Sequence, residues 1–284
     1  MNKRNVTRVA RDQHQKEFVR IFQALSGRYS RWEIWQDWVT LTAISIANIV
    51  DRDRAESRSK TYKTIAGKYS PAELDKMAEA LSYVVTGMEA NPDQDFLGEL
   101  YMALELGNDS AGQFFTPYYV CRCMAEINSG DVAGRVEKDG WISVCDPACG
   151  AGATLVAFAN HCMRQNVNYQ TSVLFVAQDI DYIVGMMCYI QLSLLGCPGY
   201  VVIGNTLTNP STSYDKRGLL PRDSQEIWFT PMYYRDVWVY RKMWVSIDLV
   251  CRNSEPVQPT EMPVAKEPEL PQYPEAKGGQ LSFF

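Results

Sequence analysis

In the second half of the sequence, three side chains able to recognise a ligand follow closely on apolar runs. Asp146 follows Trp141-Ile142-Ser143-Val144-Cys145, Asp179 follows Val173-Leu174-Phe175-Val176-Ala177 after one glutamine, and Asn205 follows Tyr200-Val201-Val202-Ile203 after one glycine. Asp146 also opens the loop Asp146-Pro147-Ala148-Cys149-Gly150-Ala151-Gly152, whose glycines let backbone approach a ligand closely. An acid in such a loop can bind an amine or a hydroxyl. An acid closing the next strand can take both hydroxyls of a ribose, and an amide closing the third can read an adenine edge. The glycines do not have the G-x-G-x-x-G spacing of a dinucleotide fold, and no Walker lysine accompanies them. The set suits a nucleoside with an amino-acid end better than one with a phosphate.

The segments between these runs have helical spacing. Leu155, Val156, Ala159, Cys162 and Met163 separate the first run from the second, and a helix to Leu195 separates the second from the third. Strand–helix–strand repetition predicts an α/β fold with a parallel sheet and a ligand at the carboxyl ends of its strands. The first hundred residues read as helices. Trp35, Trp38, Val39, Thr42, Ile46 and Ile49 fall on one face, widened by Ile34, Leu41 and Ile44. Ser70-Pro71-Ala72-Glu73 is a helix start, opening a helix through Met77, Leu81 and Val84. A further helix is predicted from Phe96 to Leu106, stopped by Gly107. Arg52, Arg54, Arg58, Lys60 and Lys63 read as a solvated helix face, with a phosphate-contacting face as the lesser alternative.

Composition sets the outer limits. The 284 residues carry 28 Lys and Arg against 33 Asp and Glu, a net charge of −5, which excludes a globally basic nucleic-acid coat. With 46% hydrophobic and 21% charged residues the chain is too apolar for wholesale disorder. The apolar stretch Trp38–Val50 is 13 residues long, short of the about 20 that span a bilayer. Met1-Asn2-Lys3-Arg4 leads into no apolar signal core, so a soluble, cytoplasmic chain is expected. Eight cysteines without a Cys-x-x-Cys pair, and only two histidines (His14 and His161), predict reduced thiols and no metal. From Pro256 onward, prolines interleaved with Glu and Lys predict an extended tail. The expected division is a helical region over 1–107, a ligand-binding domain over 108–250 and a tail over 251–284.

Four segments occur in an order that resembles a known family. They are Gly112-Gln113-Phe114-Phe115-Thr116-Pro117, the 146–152 loop, Gln178-Asp179-Ile180-Asp181 and Gly204-Asn205-Thr206-Leu207. Over roughly Phe96 to Asn209 the chain is similar to the adenine-specific (N-6) DNA methyltransferases, in particular the modification subunits of type I restriction systems and their phage-borne relatives. The resemblance implies a Rossmann-like, S-adenosylmethionine-dependent methyltransferase sheet, here truncated. It implies S-adenosylmethionine as cofactor, held by Phe115, Thr116, Asp146, Ala148, Gly150, Gly152, Asp179 and Asn205, and DNA as substrate. The family's [ND]-P-P-[FY] segment closes the fourth strand and holds the amine of a flipped-out base. Here the fourth-strand candidate Glu226-Ile227-Trp228-Phe229 is followed by Thr230-Pro231-Met232-Tyr233, which makes Thr230, Pro231 and Tyr233 the expected catalytic residues. A threonine hydroxyl does not reproduce an amide oxygen aimed at the amine. Asn209-Pro210-Ser211, directly after the third strand, is a second candidate.

Two functional readings follow: methyl transfer to the 6-amino group of adenine in DNA, or a catalytically impaired homologue that acts as a binding module. With about one element expected between Tyr234 and Val250, sequence recognition on DNA is expected from a separate specificity subunit or a second copy, or else sequence specificity is absent. The terminal Gln280-Leu281-Ser282-Phe283-Phe284 resembles the peptide that docks onto a bacterial DNA sliding clamp, with Gln280, Leu281, Phe283 and Phe284 as the contacting residues.

Overall fold

The computed structural model describes residues 12–104, 106, 115–222 and 225–254, with side chains as far as residue 247. The chain divides into two compact units, 1–246 and 247–284. Of the second, the end of one helix is described.

Helices occupy the first part of the chain. Asp12 caps α1 (Gln13–Leu25) and Ser30 caps α2 (Arg31–Val50), each side chain accepting an N–H from the helix's first turn. Phe18, Phe22, Trp35 and Trp38 pack edge to face between these two helices. The Trp38 indole N–H donates to the Met77 carbonyl at 3.0 Å. The predicted face of α2 is buried only as far as Ala47, one turn before the helix ends, so Ile49 is 68% exposed instead of buried. After α3 (Ala55–Ala66), α4 (Pro71–Ala90) begins where the sequence predicts. Ser70 Oγ accepts the Glu73 N–H, and the Glu73 carboxylate accepts the Ser70 N–H. The next helix, α5 (Phe96–Ala103), is shorter than predicted. The Leu106 N–H bonds back to the Tyr101 carbonyl at 3.2 Å, a turn too wide to continue an α-helix.

Two helices, α6 (Tyr118–Ser129) and α7 (Val132–Asp139), lead into the sheet. Strand β1 (Ile142–Asp146) is followed by α8 (Ala153–Arg164) and the short α9 (Tyr169–Ser172), then β2 (Val173–Asp179), α10 (Tyr182–Leu194), β3 (Gly199–Ile203) and β4 (Glu226–Phe229). The sheet order is β1-β2-β3-β4. β1, β2 and β3 run parallel, with Asp146 opposite Ala177 and Asp179 opposite Ile203. Their helical crossovers are what parallel pairing requires. The link from β3 to β4 contains only turns among its described residues, and β4 pairs antiparallel to β3, with Glu226 opposite Ile203 and Phe229 opposite Tyr200. The carboxyl end of β4 therefore lies beside the amino end of β3. A turn Pro231–Tyr234 and α11 (Asp236–Ser254) follow, so helix continues past the residue 250 at which the tail was expected to begin.

One apolar cluster runs from Phe18 in α1 to Trp228 in β4, so the expected boundary at 107–108 is not a break in packing. The other sheet face buries Trp141, Tyr200, Phe229 and Trp238. Arg58, expected on a solvated face, is buried. Its guanidinium meets the buried Asp51 carboxylate at 2.8 Å, donates to the Ile227 carbonyl at 3.1 Å and lies 4.2 Å from the centre of the Trp228 ring. The pair therefore fastens α2 and α3 to β4. Among the described cysteines 121, 149, 162, 188 and 197 are buried free thiols, and 123 and 145 are exposed ones. Among the described residues no helix is long and apolar enough to cross a membrane.

Arg58→Ala leaves the Asp51 carboxylate buried without its partner, and is expected to cost about 3–5 kcal/mol of folding stability. Arg54→Ala, at the half-exposed Arg54–Asp51 contact of 3.5 Å, is expected to cost less than about 1 kcal/mol. Urea unfolding of the two variants under identical conditions measures the difference.

Candidate functional site

The glycine loop between β1 and α8 is held from three sides. At its start the Asp146 carboxylate accepts the Ala148 N–H at 3.1 Å and the Thr154 hydroxyl. From β2, the Gln178 carbonyl accepts the Cys149 N–H at 3.0 Å, and Asp179 Oδ2 accepts the Gly150 N–H at 2.9 Å. The other Asp179 oxygen accepts the Asp181 N–H at 2.9 Å. From the sheet's helical side, α10 packs so closely that a Cβ on Gly152 would stand 2.8 Å from Cys188 Sγ, and the φ of +95° there already favours glycine. Gly150, at φ +55°, faces the Phe115 ring.

These constraints create a cavity of about 110 Å³ at the end of β1, to which Phe115, Thr116, Asp146, Ala148 and Gly150 all contribute. Gly152 lies behind the loop rather than on the cavity wall. Asp179 and Asn205 stand at the neighbouring strand ends, Asn205 exposed, with its side-chain oxygen accepting the Leu207 N–H at 2.9 Å. Each carboxylate and amide oxygen keeps acceptor capacity beyond the bonds just given. The predicted segment Gly112–Phe114 and the peptide residues Gln280, Leu281, Phe283 and Phe284 lie outside the described residues.

Asp95 is among the cavity residues that escape the sequence patterns, with Cys121, Ala153 and Thr154. Asp95, 3% exposed, lines the same cavity and caps α5. Its Oδ1 accepts the Gly98 N–H at 3.0 Å and the Gln191 amide at 2.8 Å. Burial pushes its carboxyl up to about 6, against the lowering effect of those two hydrogen bonds. An aspartate before a helix reads from sequence as a cap, which it is, and nothing local signals its cavity. The same holds for Gln191, fully buried on α10. Its amide nitrogen donates to Asp95 Oδ1 and to the Ala151 carbonyl, both at 2.8 Å, while its oxygen accepts the Leu97 N–H at 3.2 Å.

The expected catalytic residues are not at this cavity. Because β4 is antiparallel, Thr230, Pro231 and Tyr233 sit at the opposite end of the sheet. Thr230 is fully buried, its hydroxyl donating to the Cys197 carbonyl at 2.7 Å and accepting the Gly199 N–H at 3.0 Å. Pro231 opens the turn that follows, and the Tyr233 hydroxyl donates to the Leu219 carbonyl at 2.6 Å. The Tyr233 ring stacks on Phe229 at 4.8 Å, and burial raises its phenol well above the ordinary range. This is a packed corner in which every polar atom of Thr230 and Tyr233 serves the fold. The assignment of Thr230, Pro231 and Tyr233 as a base-holding set is therefore corrected.

The second candidate is at the carboxyl ends of the parallel strands. Gln178, buried in β2, donates to the Asn209 carbonyl at 3.0 Å and accepts the Ser211 N–H at 2.8 Å. Ser211 Oγ lies 4.0 Å from Cys145 Sγ at the end of β1. The Asn209 side chain has no hydrogen-bond partner among the described residues, and the Tyr214 ring that follows is exposed.

Gln191→Leu keeps the volume and removes the amide. The Ala151 carbonyl and Leu97 N–H are then buried without a partner, at about 1–3 kcal/mol each. The expected loss of stability is at least about 2 kcal/mol, read as a lower urea midpoint with an unchanged slope.

No curated protein and no solved structure gives a match to the chain. Residues 93–232 match the family model described as N-6 DNA Methylase. That stretch starts two residues before Asp95 and contains the glycine loop, both acidic strand ends and Asn209-Pro210. Over residues 93–232 this chain belongs to the N-6 DNA methylase family.

Proposed function

We propose that the chain transfers a methyl group from S-adenosylmethionine to the 6-amino group of adenine in DNA. The observation that carries this reading is the placement of the Asp146 loop and of Asn209-Pro210 at the same carboxyl ends of the parallel strands, both pinned there by β2. The helical crossovers and parallel order of β1, β2 and β3 support a Rossmann-like sheet.

The residues present fit the cofactor's parts. The small cavity lined by Asp95 and Asp146 carries acceptors for an amino-acid end. Asp179, at the next strand end, suits the ribose hydroxyls, and Asn205 at the third suits the adenine edge. Phe115 and Gly150, facing each other, contribute to the wall of the small cavity. When bound, S-adenosylmethionine supplies the methyl group. The Asn209 amide oxygen, without a partner among the described residues, accepts a hydrogen of the target amine and holds its nitrogen in place, with the remaining lone pair of the Pro210 carbonyl, which also accepts the Ser213 N–H at 3.1 Å, as second acceptor. The exposed Tyr214 ring offers a face for a base taken out of the duplex stack.

The reading extends to partners. A separate specificity subunit or a second copy supplies sequence recognition, as in type I restriction–modification systems and their phage-borne relatives. The Gln280–Phe284 sequence supports delivery to DNA by a sliding clamp, and action on DNA suits a cytoplasmic location. The binding-module alternative is favoured by one observation: Asn209-Pro210 continues with Ser211 where the family has proline and an aromatic.

Purified protein incubated with S-adenosylmethionine labelled on the methyl group and with mixed DNA is expected to label adenine N6. Asn209→Ala is expected to lower transfer about 10²–10³-fold, the usual effect of removing one positioned polar contact, without changing cofactor affinity. Cofactor binding with no transfer by the unaltered protein would overturn the enzymatic reading in favour of the module.

A further inference from the structure

Asp95 is an unusual residue to find on the wall of a small cavity. It is almost wholly buried, yet both of its hydrogen bonds end on Oδ1, leaving Oδ2 without one among the described residues. A helix cap needs only one carboxylate oxygen. The second is a further acceptor on a residue that lines the cavity. The cavity it lines also holds the Asp146 carboxylate, and among the described residues no lining side chain is basic. Two acids lining one small space, with the nearest basic lining residue, Arg122, on the neighbouring larger cavity among the described residues, suit a cationic ligand. An ammonium group fits, because it brings three N–H donors. A sulfonium brings charge but no donor.

We propose that Asp95 is a cofactor-binding residue, which receives with Asp146 the α-ammonium group of the amino-acid end of S-adenosylmethionine. The inference rests on the cofactor reading above and adds to it a residue from the helical region that precedes the sheet. It also explains why Gln191 ties Asp95 to the Ala151 carbonyl: the two walls of the cavity are held at a fixed spacing.

The geometry carries a pH dependence. The titratable groups around Asp95 are Glu99 on its own helix, Cys121 on α6 and Asp146 on β1, with Asp12, Asp93, Tyr118 and Arg122 lining a neighbouring larger cavity that Asp95 also borders, while the neutral Gln191 faces it from α10. Burial pushes the Cys121 thiol up to about 11, so it stays neutral in the acidic range. The Asp95 carboxyl, pushed up to about 6, is mostly protonated at pH 5 and mostly ionised at pH 7. An ammonium ligand binds the ionised form, so affinity rises as pH rises through that range.

Titration calorimetry with three ligands tests the proposal. S-adenosylmethionine and S-adenosylhomocysteine both carry the α-ammonium group, whereas 5′-methylthioadenosine lacks the amino-acid end. Asp95→Asn keeps a capping oxygen and an acceptor for Gln191, so its thermal midpoint should stay near that of the unaltered protein. Asp95→Ser provides a second capping variant. Both are expected to bind the first two ligands about ten- to a hundredfold more weakly and methylthioadenosine unchanged. The unaltered protein should bind S-adenosylhomocysteine about tenfold more tightly at pH 7 than at pH 5, and Asp95→Asn should flatten that difference. Unchanged affinity for S-adenosylhomocysteine in both variants, or equal weakening of all three ligands, overturns the role of Asp95 while leaving the cofactor reading intact. Failure of the unaltered protein to bind S-adenosylmethionine overturns the cofactor reading, and this inference with it.

Discussion

One buried side chain sets the spacing of the site. Gln191 reaches from α10 to the Asp95 carboxylate and Leu97 N–H at the start of α5, and to the Ala151 carbonyl in the glycine loop. The three groups belong to segments distant in sequence, and each is polar and buried, so each must find a partner or be penalised for its burial. A single amide satisfies all three because it offers a donor pair and an acceptor. The wall carrying Asp95 and the wall carrying Asp146 thereby keep a fixed separation. Gly152 completes the constraint, since its left-handed backbone and lack of a Cβ let the loop rest on Cys188 of the same helix.

The opposite end of the sheet is organised for packing. The antiparallel β4 brings Thr230 to the amino end of β3, where its hydroxyl serves the Cys197 and Gly199 backbone. At the near end of β4, Arg58 reaches the Ile227 carbonyl while paired to Asp51, so the N-terminal helices brace the edge of the sheet that a short strand would otherwise leave weak. The strand ends proposed to recognise a ligand and the strand ends that stabilise the fold are thus segregated. The Asn209 side chain, without a hydrogen-bond partner among the described residues, lies with the first group and the fully engaged Thr230 with the second.

The features legible in the sequence are those with a local signature. The capping box at Ser70 and Glu73, the apolar runs of β2 and β3, and the glycines between Asp146 and Gly152 each announce themselves within a few residues. The direction of β4 does not. It depends on whether the chain between Ile203 and Glu226 forms a crossover helix, and turns within that link reverse the strand and carry Thr230 away from the site. Arg58 was equally opaque, because a basic helix residue with a distant aspartate, carbonyl and indole looks the same in sequence as one facing water. Asp95 directly precedes the helix predicted from Phe96, a position that in sequence signals no more than a cap. Its second oxygen acquires meaning only when α10 and the glycine loop are brought beside it.

In the proposed cofactor site the amino-acid end lies between the helical region and the glycine loop. The structure of the chain bound to S-adenosylhomocysteine tests this most directly. The α-ammonium group is expected within hydrogen-bonding distance of Asp95 Oδ2 and Asp146, with the ribose at Asp179 and the adenine beside Asn205. A ligand whose amino-acid end points away from Asp95, or that sits at the Thr230–Tyr233 end of the sheet, would contradict the account.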